Sequence, residues 1–141
     1  MAETKVIVDT GPLVAYWNRK DEHHAWAVDR WQALSQPVYT CEAVISETAF
    51  LLRDDGFSPE PLWAAMEREI VRVEFDFRSN QADLLHLLRK YADQPMSVAD
   101  ACLVRLAELS GEAAVFTTDA DFRFYRRRGR ALVPLIAPFR T

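Results

Sequence analysis

The stretch that most constrains this chain is Lys5–Val14, KVIVDTGPLV. Val6, Ile7 and Val8 are β-branched and show no polar alternation, the pattern of a strand covered on both faces of a parallel sheet. The run stops at Asp9. Thr10, Gly11 and Pro12 then have the composition of a helix start, because a first turn tolerates the missing proline N–H. One carboxylate is thus delivered to the carboxyl end of a strand, the edge where open α/β sheets bind ligands. The same aspartate also suits a helix N-cap, so its position alone leaves capping and chemistry both open.

Strand-like and helix-like segments alternate downstream. A short helix is expected over 11–18, then a polar link Asn18–Glu22, then a helix from His23 to Ser35 with Trp26, Ala27, Trp31 and Leu34 at helical spacing, closed by Pro37. Val38–Thr40 reads as a strand and Glu42–Asp54 as a helix with Val44, Ile45, Ala49, Leu51 and Leu52 inward, stopped by Gly56. Ser58 and Pro59 start a helix through Arg68, and Ile70–Phe75 alternates as a strand. Helices are expected over Ser79–Tyr91 and Ser97–Ser110, a strand over Ala113–Thr118, and a short helix over Asp119–Tyr125. Ala131–Leu135 suits an edge strand, since Pro134 cannot donate to a ladder. The alternation predicts an α/β fold: a three-layer sandwich whose central, mostly parallel sheet of about five strands carries helices on both faces.

The length, 141 residues, is that of one domain, and no repeat, low-complexity tract or linker divides it. Half the residues are hydrophobic and 27% are charged, which excludes long disorder. No apolar run approaches the roughly 20 residues of a membrane span. Glu3 and the few apolar residues before Asp9 leave no room for a secretory h-region, so a cytoplasmic protein is expected. Cys41 and Cys102 form neither a CxxC pair nor a disulfide framework; two buried thiols are expected, and no zinc. The net charge of −4 argues against a nucleic-acid partner when taken as a sum. Its distribution does not, because Arg123, Arg126, Arg127, Arg128 and Arg130 cluster near the C-terminus.

Three further acids stand beside apolar segments. Glu47 has Val44 and Leu51 as helical neighbours, which aims it along the apolar face unless the helix is rotated to expose it. Asp100 shares a face with Leu103, Val104 and Ala107, while Ser97-Val98-Ala99-Asp100 also fits a capping box. Asp119 ends its strand as Asp9 does, and Thr118 with Asp121 offers another capping arrangement. Each acid has a purely structural explanation when taken singly. Gathered together about 5 Å apart, they would repel by roughly 3 kcal/mol per pair at an effective dielectric near 20, so the group needs protons or cations. All-oxygen ligands suit Mg²⁺ or Mn²⁺, and such an ion can activate water against a phosphodiester without a nucleophilic side chain. In that arrangement capping would fall to Thr10 and Pro12.

Val8-Asp9-Thr10-Gly11-Pro12-Leu13, Ser46-Glu47-Thr48, Ser97-Val98-Ala99-Asp100-Ala101 and Thr117-Thr118-Asp119-Ala120-Asp121-Phe122 together resemble the four acidic motifs of PIN-domain nucleases. The match runs in order from about Val6 to Phe122, and the chain's size resembles the stand-alone VapC-like toxins. The resemblance implies a central parallel sheet, Mg²⁺- or Mn²⁺-dependent endoribonuclease activity on RNA, a homodimer, and inhibition by a small cognate antitoxin. Carried over motif by motif, Asp9, Glu47, Asp100 and Asp119 are the catalytic, metal-binding quartet, with Asp121 able to replace or assist Asp119. Thr10, Ser97 and Thr118 are the candidate supporting hydroxyls. The segment Asp21-Glu22-His23-His24-Ala25 also resembles the family; His24 is read as structural, because adjacent helical histidines point in different directions. Arg123, Arg126, Arg127 and Arg128 would grip RNA phosphates near the acidic mouth, contact the antitoxin, or form a solvated helix end. Two alternatives stand beside the toxin: a non-catalytic interaction module whose acidic pocket binds a basic segment, and a housekeeping RNA-processing nuclease. A receiver- or phosphatase-type enzyme is disfavoured because no DxD follows the first strand.

Overall fold

In a computed structural model, which describes residues 4–35 and 37–141, the Lys5–Val14 stretch is the hub of the fold. Glu3, which entered the reading of the N-terminus, lies outside the described residues. Strand β1 is Lys5–Val8, and Val6, Ile7 and Val8 are all buried. Helix α1, Thr10–Trp17, follows with no connecting loop. Then come α2 (His24–Gln32), β2 (Val38–Thr40), α3 (Glu42–Asp54), α4 (Glu60–Glu67) and β3 (Val71–Val73). The second half holds α5 (Gln81–Lys90), α6 (Val98–Leu109), β4 (Ala113–Phe116), β5 (Arg126–Arg127), β6 (Ala131–Leu132) and β7 (Leu135–Ile136). The expected α/β architecture is therefore present, with six helices around a five-stranded sheet.

That sheet has the order β3-β2-β1-β4-β7, and every pairing in it is parallel. The chain winds from β1 outward to β3, then jumps back across to β4 on the other side of β1. Right-handed crossovers therefore put α1–α4 on one face and α5 and α6 on the other. Phe116 shows the packing that results: it is fully buried, and the rings of Trp26 and Trp31 from α2 and its neighbourhood lie 5.4 and 6.3 Å from its own. Cys41 and Cys102 are buried free thiols, as expected from their spacing.

Two expectations need correction. Ala131–Leu135 is not one strand. Arg128 and Gly129 adopt left-handed conformations, with φ of 53° and 85°, and turn the chain back so that Arg126↔Leu132 and Arg127↔Ala131 pair antiparallel. Pro134 then breaks the line, and only Leu135–Ile136 reaches the sheet as the edge beside β4. The arginine cluster is consequently a β-hairpin and not a helix end, and the preceding helix shrinks to a 3₁₀ turn over Ala120–Arg123. The other differences are frayed ends: Ile70–Phe75 contributes only Val71–Val73 as a strand, and the helix expected over His23–Ser35 runs over His24–Gln32.

Candidate active site

The order of strands reverses between β1 and β4, and ligand crevices form at such a switch point. The two strands are in register with Val8 opposite Phe116, and the Asp9 N–H continues the ladder by donating to the Phe116 carbonyl at 2.9 Å. The residues just past both strands therefore emerge side by side. The start of α6 reaches the same edge. One carboxylate oxygen from each of Asp9, Asp100 and Asp119 lies within 4.8 Å of the others.

Asp9 is 7% exposed and has both oxygens engaged. Oδ1 accepts from the Thr10 N–H at 2.8 Å and Oδ2 from the Thr117 hydroxyl at 2.8 Å. Burial raises its carboxyl from 3.8 to about 7, with the nearby Asp100 and Asp119 charges adding to the rise and the two hydrogen bonds opposing it. Asp9 is also the N-cap of α1, so capping does not pass to Thr10 and Pro12; one side chain serves both purposes. Asp100 shows the same duality. It completes a capping box with Ser97, two bonds of 3.0 Å, while its Oδ2 also accepts from the buried Tyr125 hydroxyl at 3.4 Å. Burial raises its carboxyl, and the Asp119 charge adds to this. Asp119 is likewise raised, first by burial and then by the charge of Asp121. Asp121 is outside the cluster and contributes its N–H to Asp119 Oδ1 at 2.9 Å.

Glu47 differs from expectation. It is exposed, because Val44, Thr48 and Leu52 carry the buried stripe of α3 and Glu47 lies off its edge. It stands at the mouth, accepting from the Thr10 hydroxyl at 3.3 Å. The cleft holds about 500 Å³ and is lined also by Asp21, Glu22, His23, Ser97 and Thr118. Among the described lining residues six are carboxylates and only His23 can carry a positive charge. His24 points elsewhere, its Nδ1 2.7 Å from the Ala15 carbonyl, where it ties α2 to α1.

Sequence reasoning missed two groups here. Thr117, fully buried, donates to Asp9 and accepts from the Asp119 N–H at 2.9 Å, so one hydroxyl joins two of the three clustered acids. Tyr125 is the other. Neither carries a local signal, since Thr117 meets Asp9 only through the β1–β4 register and Tyr125 meets Asp100 only when the chain folds back along α6. Thr118 lines the cleft and also packs over Gly11, where an added Cβ would overlap Thr118 Oγ1 and lie 3.2 Å from Thr118 Cβ. Gly11→Ala is therefore expected to destabilise the chain by about 1–3 kcal/mol, and Thr118→Ala to recover part of that loss, as read by thermal melting of both variants and their combination.

None of the arginines lines this cleft. Arg123 Nε donates to the Ala120 carbonyl and Arg126 Nη1 to the Arg123 carbonyl. Arg127 and Arg128 reach the carbonyls of Gly111, Glu108 and Ser110, at the end of α6 remote from Asp100. Among the described residues no helix is long and apolar enough to cross a membrane.

A parallel sheet with three carboxylates, two buried and one half-buried, converging at its switch point defines an α/β protein with an acidic centre that could hold a metal ion. The PIN domain model matches residues 6–128, and the chain belongs to the PIN-domain family. Among solved structures it is similar to Mycobacterium tuberculosis VapC20, described as a toxin that cleaves the sarcin–ricin loop. The TM-score is 0.72 at 25% identity, covering 83% of this chain and 92% of that one. Comparison with curated proteins finds no match.

Proposed function

We propose that the chain is a single PIN domain acting as a metal-dependent endoribonuclease, the toxin of a toxin–antitoxin pair. The observation that carries this is the trio of carboxylates, two buried and one half-buried, with one oxygen of each within 4.8 Å of the others. Burial disfavours the charge of each acid, so a cation would repay what protons otherwise neutralise. The donor set is all oxygen and fits Mg²⁺ or Mn²⁺, with Asp9, Asp100 and Asp119 as holders and Glu47 beside them at the mouth. Such an ion would supply an acidified water and offset the charge developing on the scissile phosphate.

The chain's own groups do the rest. Thr10 and Thr117 fix the two oxygens of Asp9, and Ser97 and Tyr125 fix Asp100, so the centre is oriented before any substrate arrives. Exposed Glu47, accepting from the Thr10 hydroxyl, stands at the mouth where an incoming substrate would pass. Six carboxylates repel phosphate, so RNA enters only with a cation present. The same charge suits a basic side chain from an inhibiting antitoxin, and the likeness to VapC20, described as a toxin, supports a toxin role.

The test is cleavage of total RNA with Mn²⁺ or Mg²⁺. Wild type is expected to cut, and Asp9→Asn and Asp100→Asn to lose at least about a hundredfold in rate. Undiminished cleavage by both variants would overturn the site.

A further inference from the structure

The catalytic cleft repels phosphate, yet a second cleft invites it. About 260 Å³ in size, it lies between α5, the far end of α6 and the tip of the β5–β6 hairpin, lined by Asp83, His86, Lys90, Arg105, Glu108 and Arg128. Its two acids are already engaged: Arg105 pairs with Asp83 at 3.4 Å and with Glu108 at 3.3 Å. Lys90 and Arg128 form no ion pair among the described residues. The fold nevertheless brings them together. Lys90 Nζ donates to the Gly129 carbonyl at 3.2 Å, while Arg128 is anchored through its N–H to Glu108 Oε2 at 2.6 Å and its guanidinium to the Glu108 carbonyl at 3.1 Å. Two unneutralised cations facing one cleft favour an anion between them.

The hairpin connects this cleft to the catalytic one. Tyr125 touches Asp100 and Arg128 touches Glu108, so β5 spans the interval that α6 covers from residue 100 to residue 108, about 12 Å at 1.5 Å per residue. Residues 122–141 contain six arginines and no acidic side chain. Arg126 and Arg127 therefore lie along a basic track leading away from an acidic centre.

We propose that the Lys90–Arg128 cleft seats an RNA phosphate remote from the scissile one, with the hairpin guiding the strand between them. This rests on the ribonuclease reading and adds a substrate class to it: RNA that extends at least about four stacked nucleotides to one side of the cut, at roughly 3.4 Å each. A protein partner would need no such spacing of unpaired cations from a phosphate-cleaving centre.

The experiment measures cleavage kinetics and their salt dependence on a single-stranded RNA of about 20 nucleotides and on a tetranucleotide within it that contains the mapped cut. Lys90→Glu and Arg127→Glu are compared with wild type and with Lys90→Arg, and the Mn²⁺-induced rise in melting temperature verifies an intact centre. The charge reversals are expected to raise KM for the long RNA at least about fivefold with kcat nearly constant, and to flatten the slope of log affinity against log salt by about 0.7 per lost contact. Lys90→Arg is expected to behave as wild type, and shortening the substrate to bring wild type towards the variants. Equal KM and equal salt slope in both reversals would overturn the seat and assign the basic face to a protein partner, leaving the ribonuclease reading intact. Failure of wild type to cut any RNA with Mn²⁺ would overturn that reading, and the seat with it.

Discussion

Asparagine at position 9 is expected to stabilise the metal-free chain at pH 8 while abolishing RNA cleavage. The Asp9 carboxyl is raised from 3.8 to about 7, mainly by burial. Between those values the folded chain holds a proton that the unfolded chain has released, so this group makes stability fall as pH climbs from about 4 to about 7. Above that window the accumulated penalty approaches about 4 kcal/mol. Asparagine has no charge to bury. Its oxygen can still accept from the Thr10 N–H, and the Thr117 hydroxyl can turn to accept from its amide, although the bonds become neutral and weaker. A net gain of about 2 kcal/mol, roughly 6 °C in melting temperature, is expected at pH 8, and almost none at pH 4. Asp100 and Asp119 are raised too, so the variant keeps a shallower decline with pH. Mn²⁺ reverses the ranking: wild type gains stability from the ion and Asp9→Asn does not. Melting curves at pH 4, 6 and 8 with and without Mn²⁺ measure all of this. A destabilised variant at pH 8 would show that Asp9 is held for its fold contacts rather than against its burial.

The architecture is legible because it rests on local pattern. The β-branched run before Asp9, the Gly56 stop and the span of α3 follow from residue types that act within a few positions. Asp9, Asp100 and Asp119 are legible for a related reason, since acids that end a buried strand or open a buried helix stand out against apolar neighbours. Glu47 misleads because a helical stripe fixes phase only to within about a residue, and Val44 and Leu51 flank it without sharing its environment. The hairpin escapes a sequence reading for a different reason. Arg128 takes a left-handed φ of 53° that arginine seldom adopts, and the bonds holding it there come from Glu108, twenty residues earlier. Its signal is tertiary. The same holds for Thr117 and Tyr125, whose partners are distant in sequence.

Thr117 is where that hidden layer is tested most sharply. Thr117→Val keeps the shape of the side chain and removes the hydroxyl that joins Asp9 to the Asp119 backbone. A buried acceptor and a part-buried donor lose their partner together, and a loss of about 1–3 kcal/mol is expected. The functional effect is larger. The bond from Thr117 favours the charged form of Asp9, so its removal drives that carboxyl still higher, and a cation must then displace a more tightly held proton. Mn²⁺ affinity near pH 7 is expected to fall about 10–100-fold, with part of the loss regained at about pH 8.5. Thr117→Ser, which keeps the hydroxyl, should stay close to wild type. Positions 9 and 117 also interlock, because asparagine at position 9 removes the charge that Thr117 supports. Thr117→Val should therefore destabilise the Asp9→Asn chain less than it destabilises wild type, a coupling readable in a double-mutant cycle. Unchanged Mn²⁺ affinity in Thr117→Val, within about twofold, would mean that the strand register alone orients Asp9.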